Sequence, residues 1–353
     1  MLKKMNKNTK SNLITYGMVI VAFVIMQTLI ATGSISSLLE GIMVPICIYV
    51  IMAVSLNLVV GILGELSLGH AGFMCVGAFS SAFFSKCMKD VIENGALRFL
   101  LAMLIGIAVA AVFGIIIGVP VLRLKGDYLA IVTLAFGEII KNLVNVLFIG
   151  KDSNGFHFST KDVIGLNMDP DGTVIVNGPQ GITGTPQDST FFIGFIMILI
   201  TLFIVLNLIN SRDGRAIMAI RDNRIAAESV GINITKYKLM AFTISAALAG
   251  GAGVLYAHNL STLTANTNNF GYNQSIMILV FVVLGGIGNI RGSIIAAVIL
   301  TLLPELLRGL QDYRMLIYAI VLIAMMIFNW APKAIEWREK HLSFFRKKKE
   351  AVK

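Results

Sequence analysis

The stretch Phe99–Leu122 reads FLLAMLIGIAVAAVFGIIIGVPVL, 24 residues without one charged side chain. As a helix rising 1.5 Å per residue it covers about 36 Å, more than the ~30 Å hydrocarbon core of a bilayer. Gly106, Ala110, Gly114 and Gly118 recur in it every four residues, and Ala241, Ser245, Ala249 and Gly253 repeat the device later in the chain. Small residues at this spacing form a ridge that lets a second helix approach closely, so both stretches read as bundle interior.

Composition extends this reading to the whole chain. Of 353 residues, 56% are hydrophobic and 14% charged, against about 25% charged in soluble domains. The mean hydropathy is +0.82. So apolar a chain cannot cover a soluble surface, which excludes an ordinary cytoplasmic enzyme, a disordered protein and a disulfide-rich secreted module. Cys47, Cys75 and Cys87 are too few and scattered for a disulfide framework or metal cluster. The expected fold is an all-α polytopic membrane bundle of about ten spans. Candidate spans are 14–32, 38–60, 66–85, 99–122, 128–148, 190–209, 239–257, 275–287, 293–307 and 315–329. The eighth and ninth are short, and read either as two shortened helices or as one re-entrant pair, which is tolerated where it is buried in protein.

Lys and Arg total 29 and Asp and Glu 19, a net charge of +10. The excess sits in three segments beside apolar runs. Residues 1–13 carry four lysines, 211–238 six basic groups and 331–353 eight. Basic residues resist translocation, so the pattern signals topology and not nucleic-acid binding, with attraction to anionic membrane lipids a second consequence. Both termini and the 210–238 loop are therefore expected inside. Residues 149–189, with two lysines against five aspartates, are expected outside, as is the uncharged stretch 259–274. The expected organisation is a basic N-terminal arm (1–13), a membrane domain (14–330) and a basic tail (331–353). The basic start, the apolar stretch Ile14–Ile30 and Ala31-Thr32-Gly33 imitate a secretion signal. That stretch exceeds the usual 7–15 residues, so it reads as an uncleaved first span.

Segment 149–189 is glycine-rich with three prolines, and leaves open a hairpin or short helix, and a plain surface loop or a docking surface. At membrane depth, Glu138 and Lys141 lie three residues apart on one helical face, either as an internal ion pair or as the lining of a polar path. Gly61, Gly64 and Ser67 break the helical pattern near Asn57, with Glu65 and His70 flanking Ser67. Freed backbone groups suit a cavity wall. A Ser67–His70 nucleophile lacks a carboxylate at triad spacing. The Gly285–Gly292 cluster follows no strand, so it is not a dinucleotide fingerprint, and the sequence shows no phosphate loop. ATP, if used, is bound by another chain. Inside, Asp222 or Asn223 can cap a two-turn helix that Gly231 ends. Ala226, Ala227, Glu228 and Ser229 lie on it, and a helix so short needs a groove to hold it.

The stretches Asn57–Phe73, Arg123–Glu138, Gly214–Ala257 and Val283–Gly286, with Asn177–Ile182, resemble the permease subunits of branched-chain amino acid ABC importers, the second of their two homologous permeases in particular. The resemblance covers about residues 36–330 and departs from the family pattern in the N-terminal arm, the tail and the details of 149–189. It implies a multi-pass protein of a prokaryotic plasma (inner) membrane with no cofactor and no catalytic or metal site of its own. It implies a homologous second permease, two cytoplasmic ATPase subunits that bind ATP, and an external solute-binding protein. Ala226, Ala227, Glu228, Ser229 and Gly231 would then form the ATPase-coupling element. Asn57, Gly61, Gly64, Ser67, His70, Thr133 and Glu138 would be candidates for the translocation pathway. A permease for urea, short amides or other amino acids, or a stand-alone channel or carrier, are the alternatives.

Overall fold

The computed structural model describes residues 7–33, 36–89, 91–124 and 126–307, and isolated positions from 313 to 327. The tail 331–353 and the end points of the tenth candidate span lie outside the described residues. Within that span, Leu316, Ile317, Ala319, Ile320, Leu322–Ala324 and Ile327 are helical.

The helices are α1 (Lys7–Ala31), α2 (Ser37–Asn57), α3 (His70–Cys87), α4 (Gly95–Val121), α5 (Asp127–Val146), α6 (Phe191–Asn210), α7 (Arg212–Asp222), α8 (Arg224–Ser229), α9 (Ile234–Ala257), α10 (Thr267–Phe270), α11 (Tyr272–Gly285) and α12 (Ile290–Leu306). Among the described residues, six segments are long and apolar enough to cross a membrane: 12–31, 39–63, 95–121, 127–146, 191–210 and 234–257. At 1.5 Å per residue the 14 residues of α11 and 17 of α12 rise about 21 and 26 Å, short of a ~30 Å core.

The two small-residue ridges meet. A Cβ on Gly250 would lie 3.0 Å from the Gly106 carbonyl oxygen, and one on Gly114 2.8 Å from Ala246 Cβ. Ala110, Ala241 and Ala249 are fully buried between α4 and α9. Close backbone approach here supplies dispersion contacts that lipid tails cannot match. Phe73 links this layer to α5 and α9 through Phe136 and Phe242, with centroids at 4.9 and 5.5 Å. Most of α1 faces outward. Phe23 holds it to α6 by stacking on Phe195 at 3.9 Å.

In segment 149–189, where the sequence left a hairpin or a short helix open, the structure forms a hairpin with a third strand added, so the helical bundle carries a small sheet and is not strictly all-α. β1 (Phe148–Asp152), β2 (Gly155–Ser159) and β3 (Thr173–Asn177) form an antiparallel sheet in the order β2-β1-β3. β4 (Ile182–Thr183) pairs with β5 (Thr262–Leu263) and ties this segment to the loop after α9. The turn before β4 needs Gly181, whose φ is 69° and whose Cβ would lie 2.8 Å from the Leu263 carbonyl carbon. Alternating Phe156 and Phe158 supply the strand pattern, and polar residues surrounding them in the sequence masked it.

A second correction concerns the third span, expected from Leu66. Helix α2 continues as a π-helical turn, Leu58–Leu63, and ends at Gly64 with φ 81°. Residues 64–69 are not helical, and α3 begins only at His70.

Candidate functional site

The break between α2 and α3 is where polar side chains gather. Asn57 is fully buried. Its Nδ2 donates to Ser293 Oγ (2.8 Å), and its Oδ1 accepts from the Gly288 amide (2.8 Å). It thereby joins α2 to the turn between α11 and α12. Gly61 permits this contact, because a Cβ there would lie 2.6 Å from Gly288 Cα. Gly286 and Gly288 have φ of 93° and 80°, a left-handed pair that sharpens the turn. Both halves of the glycine pattern thus serve one junction.

The non-helical stretch 64–69 packs against α5. The Leu68 amide donates to Thr133 Oγ1 (3.0 Å), which in turn donates to the Ala130 carbonyl (2.9 Å). A Cβ on Gly69 would lie 2.6 Å from the Thr133 carbonyl carbon. His70 Nε2 lies 2.8 Å from Ser55 Oγ, and the Ala71 amide donates to Ser275 Oγ (3.1 Å). The first turn of α3 is therefore level with Ser55, six residues before Gly61 in the chain, and with the start of α11. Ser67 Oγ is buried without a hydrogen-bond partner among the described residues, as is Gln274 Nε2. Unpaired buried polar groups are costly and concentrate where a ligand or water belongs. Asn57 and Gly61 thus face the α11–α12 turn, Thr133 faces Leu68 and Gly69, His70 faces Ser55, and Ser67 lies buried in the stretch between them. Ser67 and His70 are not a nucleophile pair, since the imidazole turns to Ser55.

Glu138 lies elsewhere. Its Oε2 is 2.5 Å from Lys141 Nζ, and its Oε1 accepts from the Tyr272 amide (2.8 Å), capping α11. Lys141 also donates to Thr267 Oγ1 (3.1 Å). The expected ion pair is present, and it staples α5 to α10 and α11.

At the other end of the molecule, the 210–238 segment folds into α7, α8 and the start of α9. Asn223 caps α8, its Oδ1 accepting from the Ala226 amide (3.0 Å), and Gly231 follows with φ 84°. Ala227 is only 3% exposed. It sits in a small core with Ile220 and Ile234, so the loop itself buries it. Ala226, Glu228 and Ser229 are exposed. So are two apolar residues that sequence reasoning passed over, Ile225 at 81% and Val230 at 74%. Their signal was present: two bulky apolar residues bracketing a short polar helix.

Two links run from this loop to the break. Arg221 Nη1 donates to the Gly61 carbonyl (2.9 Å), and a Cβ on Gly64 would lie 2.5 Å from Arg221 Cγ. The Lys238 ammonium pairs with the Glu65 carboxylate, the side chains being 4% and 14% exposed.

In the sheet of β1–β3, His157 Nε2 lies 2.9 Å from Asp152 Oδ2. Burial pushes the Asp152 carboxyl up, but hydrogen bonds from the Asn154 and Asp169 amides and from His157 outweigh it, and hold it below the usual carboxylate range. Phe156, Phe158 and Ile164 remain exposed on this region.

Residues 38–328 match the family model described as the branched-chain amino acid transport system / permease component. The chain is 36% identical over 297 residues to the high-affinity branched-chain amino acid transport system permease protein LivM of Salmonella typhimurium, covering 82% of this chain and 67% of the relative. The LivM of Escherichia coli gives the same identity and coverage. The ribose import permease protein RbsC of Escherichia coli is 28% identical over 79% of this chain and 81% of its own. No solved structure matches.

Proposed function

The chain belongs to the family of branched-chain amino acid transport system permease components, and on that premise we propose that it forms one part of the pathway for leucine, isoleucine and valine, beside a homologous second permease. It is a permease subunit of an ABC importer and not an enzyme, and a multi-pass protein of the prokaryotic inner membrane. The observation that carries the choice of solute is the 36% identity to LivM across 82% of the chain. On this reading two cytoplasmic ATPase subunits bind the ATP, this chain holds no ATPase site, and an external binding protein delivers the solute.

The coupling element is the exposed face of α8: Ile225, Ala226, Glu228, Ser229 and Val230. Burying Ile225 and Val230 in an ATPase groove would contribute about 1.5–3 kcal/mol each. Gly231 and Ala227 shape the element without touching the partner. Movement of α8 reaches the pathway through Arg221–Gly61 and Lys238–Glu65, which both grip the start of the break after α2. Alternating access needs two global states with different contacts, and a helix break tied to the 210–238 loop by one hydrogen bond and one ion pair is an element able to supply them. Asn57, Ser67, His70, Thr133 and the Gly61–Gly64 turn form the polar part of the path. Glu138 braces its outer wall. The exposed Phe156, Phe158 and Ile164 form a docking face for the binding protein. The arrangement has ten spans with both termini cytoplasmic.

Co-purification tests the coupling assignment. Ile225→Asp places a charge on the exposed face of α8 and leaves the buried Ala227 core intact. The expected result is a membrane-inserted permease that retains little ATPase. Full stoichiometric ATPase with normal solute-stimulated hydrolysis would make α8 a passive linker.

A further inference from the structure

Residues 182–189 run as a strap along the loop that follows α9. Ile182 and Thr183 pair with Leu263 and Thr262. The Gly184 amide donates to the Ser261 carbonyl (2.9 Å), and Thr185 Oγ1 donates to the Leu260 carbonyl (2.8 Å). The Ser189 amide donates to the His258 carbonyl (3.2 Å), and Thr190 then caps α6. The strap thus ties the segment that carries the β1–β3 sheet to the end of α9. His258 is enclosed at this junction, with 0% exposure. Its Nδ1 lies 3.0 Å from the Val254 carbonyl oxygen. A carbonyl only accepts, so Nδ1–H donates, and Nε2 of the neutral ring is left as an acceptor. Nε2 is buried without a hydrogen-bond partner among the described residues. Phe99 of α4 meets the ring edge-on, with centroids 5.0 Å apart. Arg98 and Asp188 make a loose pair beside it. Arg98 Nη2 is 3.7 Å from Asp188 Oδ2, beyond hydrogen-bonding reach. Arg98 Nε, Asp188 Oδ2 and Ser189 Oγ are also buried without hydrogen-bond partners among the described residues. So many unsatisfied polar atoms at one junction make it costly to hold and ready to rearrange.

We propose that His258 is a proton-operated latch: while its ring is neutral the strap 182–189 stays closed on the end of α9, and a proton taken from solvent at Nε2 opens it. Protonation turns Nε2 from an acceptor into a donor and adds a charge. The closed junction then holds an imidazolium with no exposure and a hydrogen bond on one side only. Burial works against that charge most strongly. The Val254 carbonyl and the Asp188 carboxylate favour it, and the Arg98 guanidinium opposes it. The balance holds His258 below its ordinary value of 6.5. The other elements at the junction add little charge. α6 has no ionisable side chain, Lys86 of α3 donates to the Val174 carbonyl (2.9 Å), and Tyr256 of α9 packs edge-on against Phe270. A histidine lowered in this way contributes stability that is complete above pH 6.5 and is lost as pH falls towards the lowered value. Acid therefore favours the lifted strap, in which the ring is hydrated. α9 runs unbroken from Ile234 to Ala257, with Lys238 paired to Glu65 near its start and His258 at its end. On the functional reading above, lifting the strap slackens the far anchor of the helix that carries this pair, and transport slows in acid.

The test uses the whole importer complex in nanodiscs, where both faces meet the same buffer, from about pH 7.5 to about pH 5. Amide exchange at Gly184, Thr185 and Ser189, corrected for its intrinsic pH dependence, reads the strap, and the ratio of solute-stimulated to basal ATP hydrolysis reads transport. Protection in the parent should be flat above pH 7 and fall below 6.5, by up to about tenfold per pH unit, the limit for one proton. His258→Gln can still donate to the Val254 carbonyl and cannot become charged, so its protection should not change with pH. His157→Gln, in β2, should keep the parent profile. If His258→Gln does not assemble, Asp188→Asn decides: without the carboxylate that favours the imidazolium, the fall should move to lower pH. A flat parent profile would overturn the latch, as would the parent profile in His258→Gln or a fall that Asp188→Asn does not move. The hydrolysis ratio should fall with the strap in the parent and hold in His258→Gln. A strap that opens in acid while the ratio stays equal in parent and variant would overturn its place in transport. No solute-stimulated hydrolysis at any pH would instead show that the functional reading had failed, with the exchange profiles still deciding the latch.

Discussion

Removing Lys238 should disconnect the 210–238 loop from the break after α2. Its ammonium pairs with Glu65, and the two side chains keep only 4% and 14% exposure. Breaking a buried pair by deleting one partner costs about 3–5 kcal/mol when burial is complete. Glu65 retains some access to solvent and sits at the mouth of the break, so about 1–3 kcal/mol is the appropriate range. If that energy falls on one of two access states, their ratio shifts about 5- to 150-fold. Lys238→Ala and Glu65→Gln should each reduce solute-stimulated ATP hydrolysis of the reconstituted complex at least fivefold, a loss at the low end of that range, with the ATPase still bound. The double variant should recover a substantial part, because neither charge is then stranded. Single effects that simply add in the double variant would show that the two groups do not couple, and the route from α8 to the break would have to run elsewhere.

The other predictions concern the walls and the outer face. Glu138→Ala removes the acceptor of both Lys141 and the Tyr272 amide, and should lower complex yield by destabilising α11 by about 1–3 kcal/mol. Adding Lys141→Ala should recover part of the yield, and a double variant no better than the single would show that the stranded ammonium is not the cause. The Asp152 carboxyl is held below its ordinary value of 3.8, so its contribution is complete above that pH and is lost as pH falls through the lowered folded value. Amide-exchange protection at Asn154 and Asp169 should fall in that window, and a flat profile would refute the pairing. Topology labels at Asn268 should react from outside, and at Ser229 and Lys348 from inside; opposite faces for the latter two would refute the ten-span arrangement.

The sequence made the bundle legible wherever a single segment held the whole signal. The uncharged run Phe99–Leu122 and the repeats Gly106–Gly118 and Ala241–Gly253 announce spans with a packing face, and these two ridges do pack together, although the rest of α4 is mostly exposed. The cap at Asn223 and the stop at Gly231 were equally local. What failed to show was long-range. Ala227 reads as a small residue kept for a partner's groove, yet Ile220 and Ile234, on either side of α8, close over it. Glu138 reads as a membrane carboxylate paired with Lys141, and its second role, capping α11 at Tyr272, spans 134 positions. The late start of α3 depends on Thr133 accepting from the Leu68 amide, a contact with no trace in local periodicity. The strands of segment 148–183 are short and interleaved with polar turns, so the sequence left a hairpin open there without fixing its strands or register.

The central claim is ATP-driven import of branched-chain amino acids through this chain, and one measurement addresses it directly. The complete importer, with its second permease, ATPases and binding protein, is reconstituted into vesicles, and uptake of labelled leucine, isoleucine, valine and urea is followed. The account predicts accumulation of the three amino acids against a gradient, dependent on ATP at the ATPase face and on the external binding protein, and abolished by Ile225→Asp. Equilibration of solute without ATP, or accumulation of urea with none of the three amino acids, would contradict it.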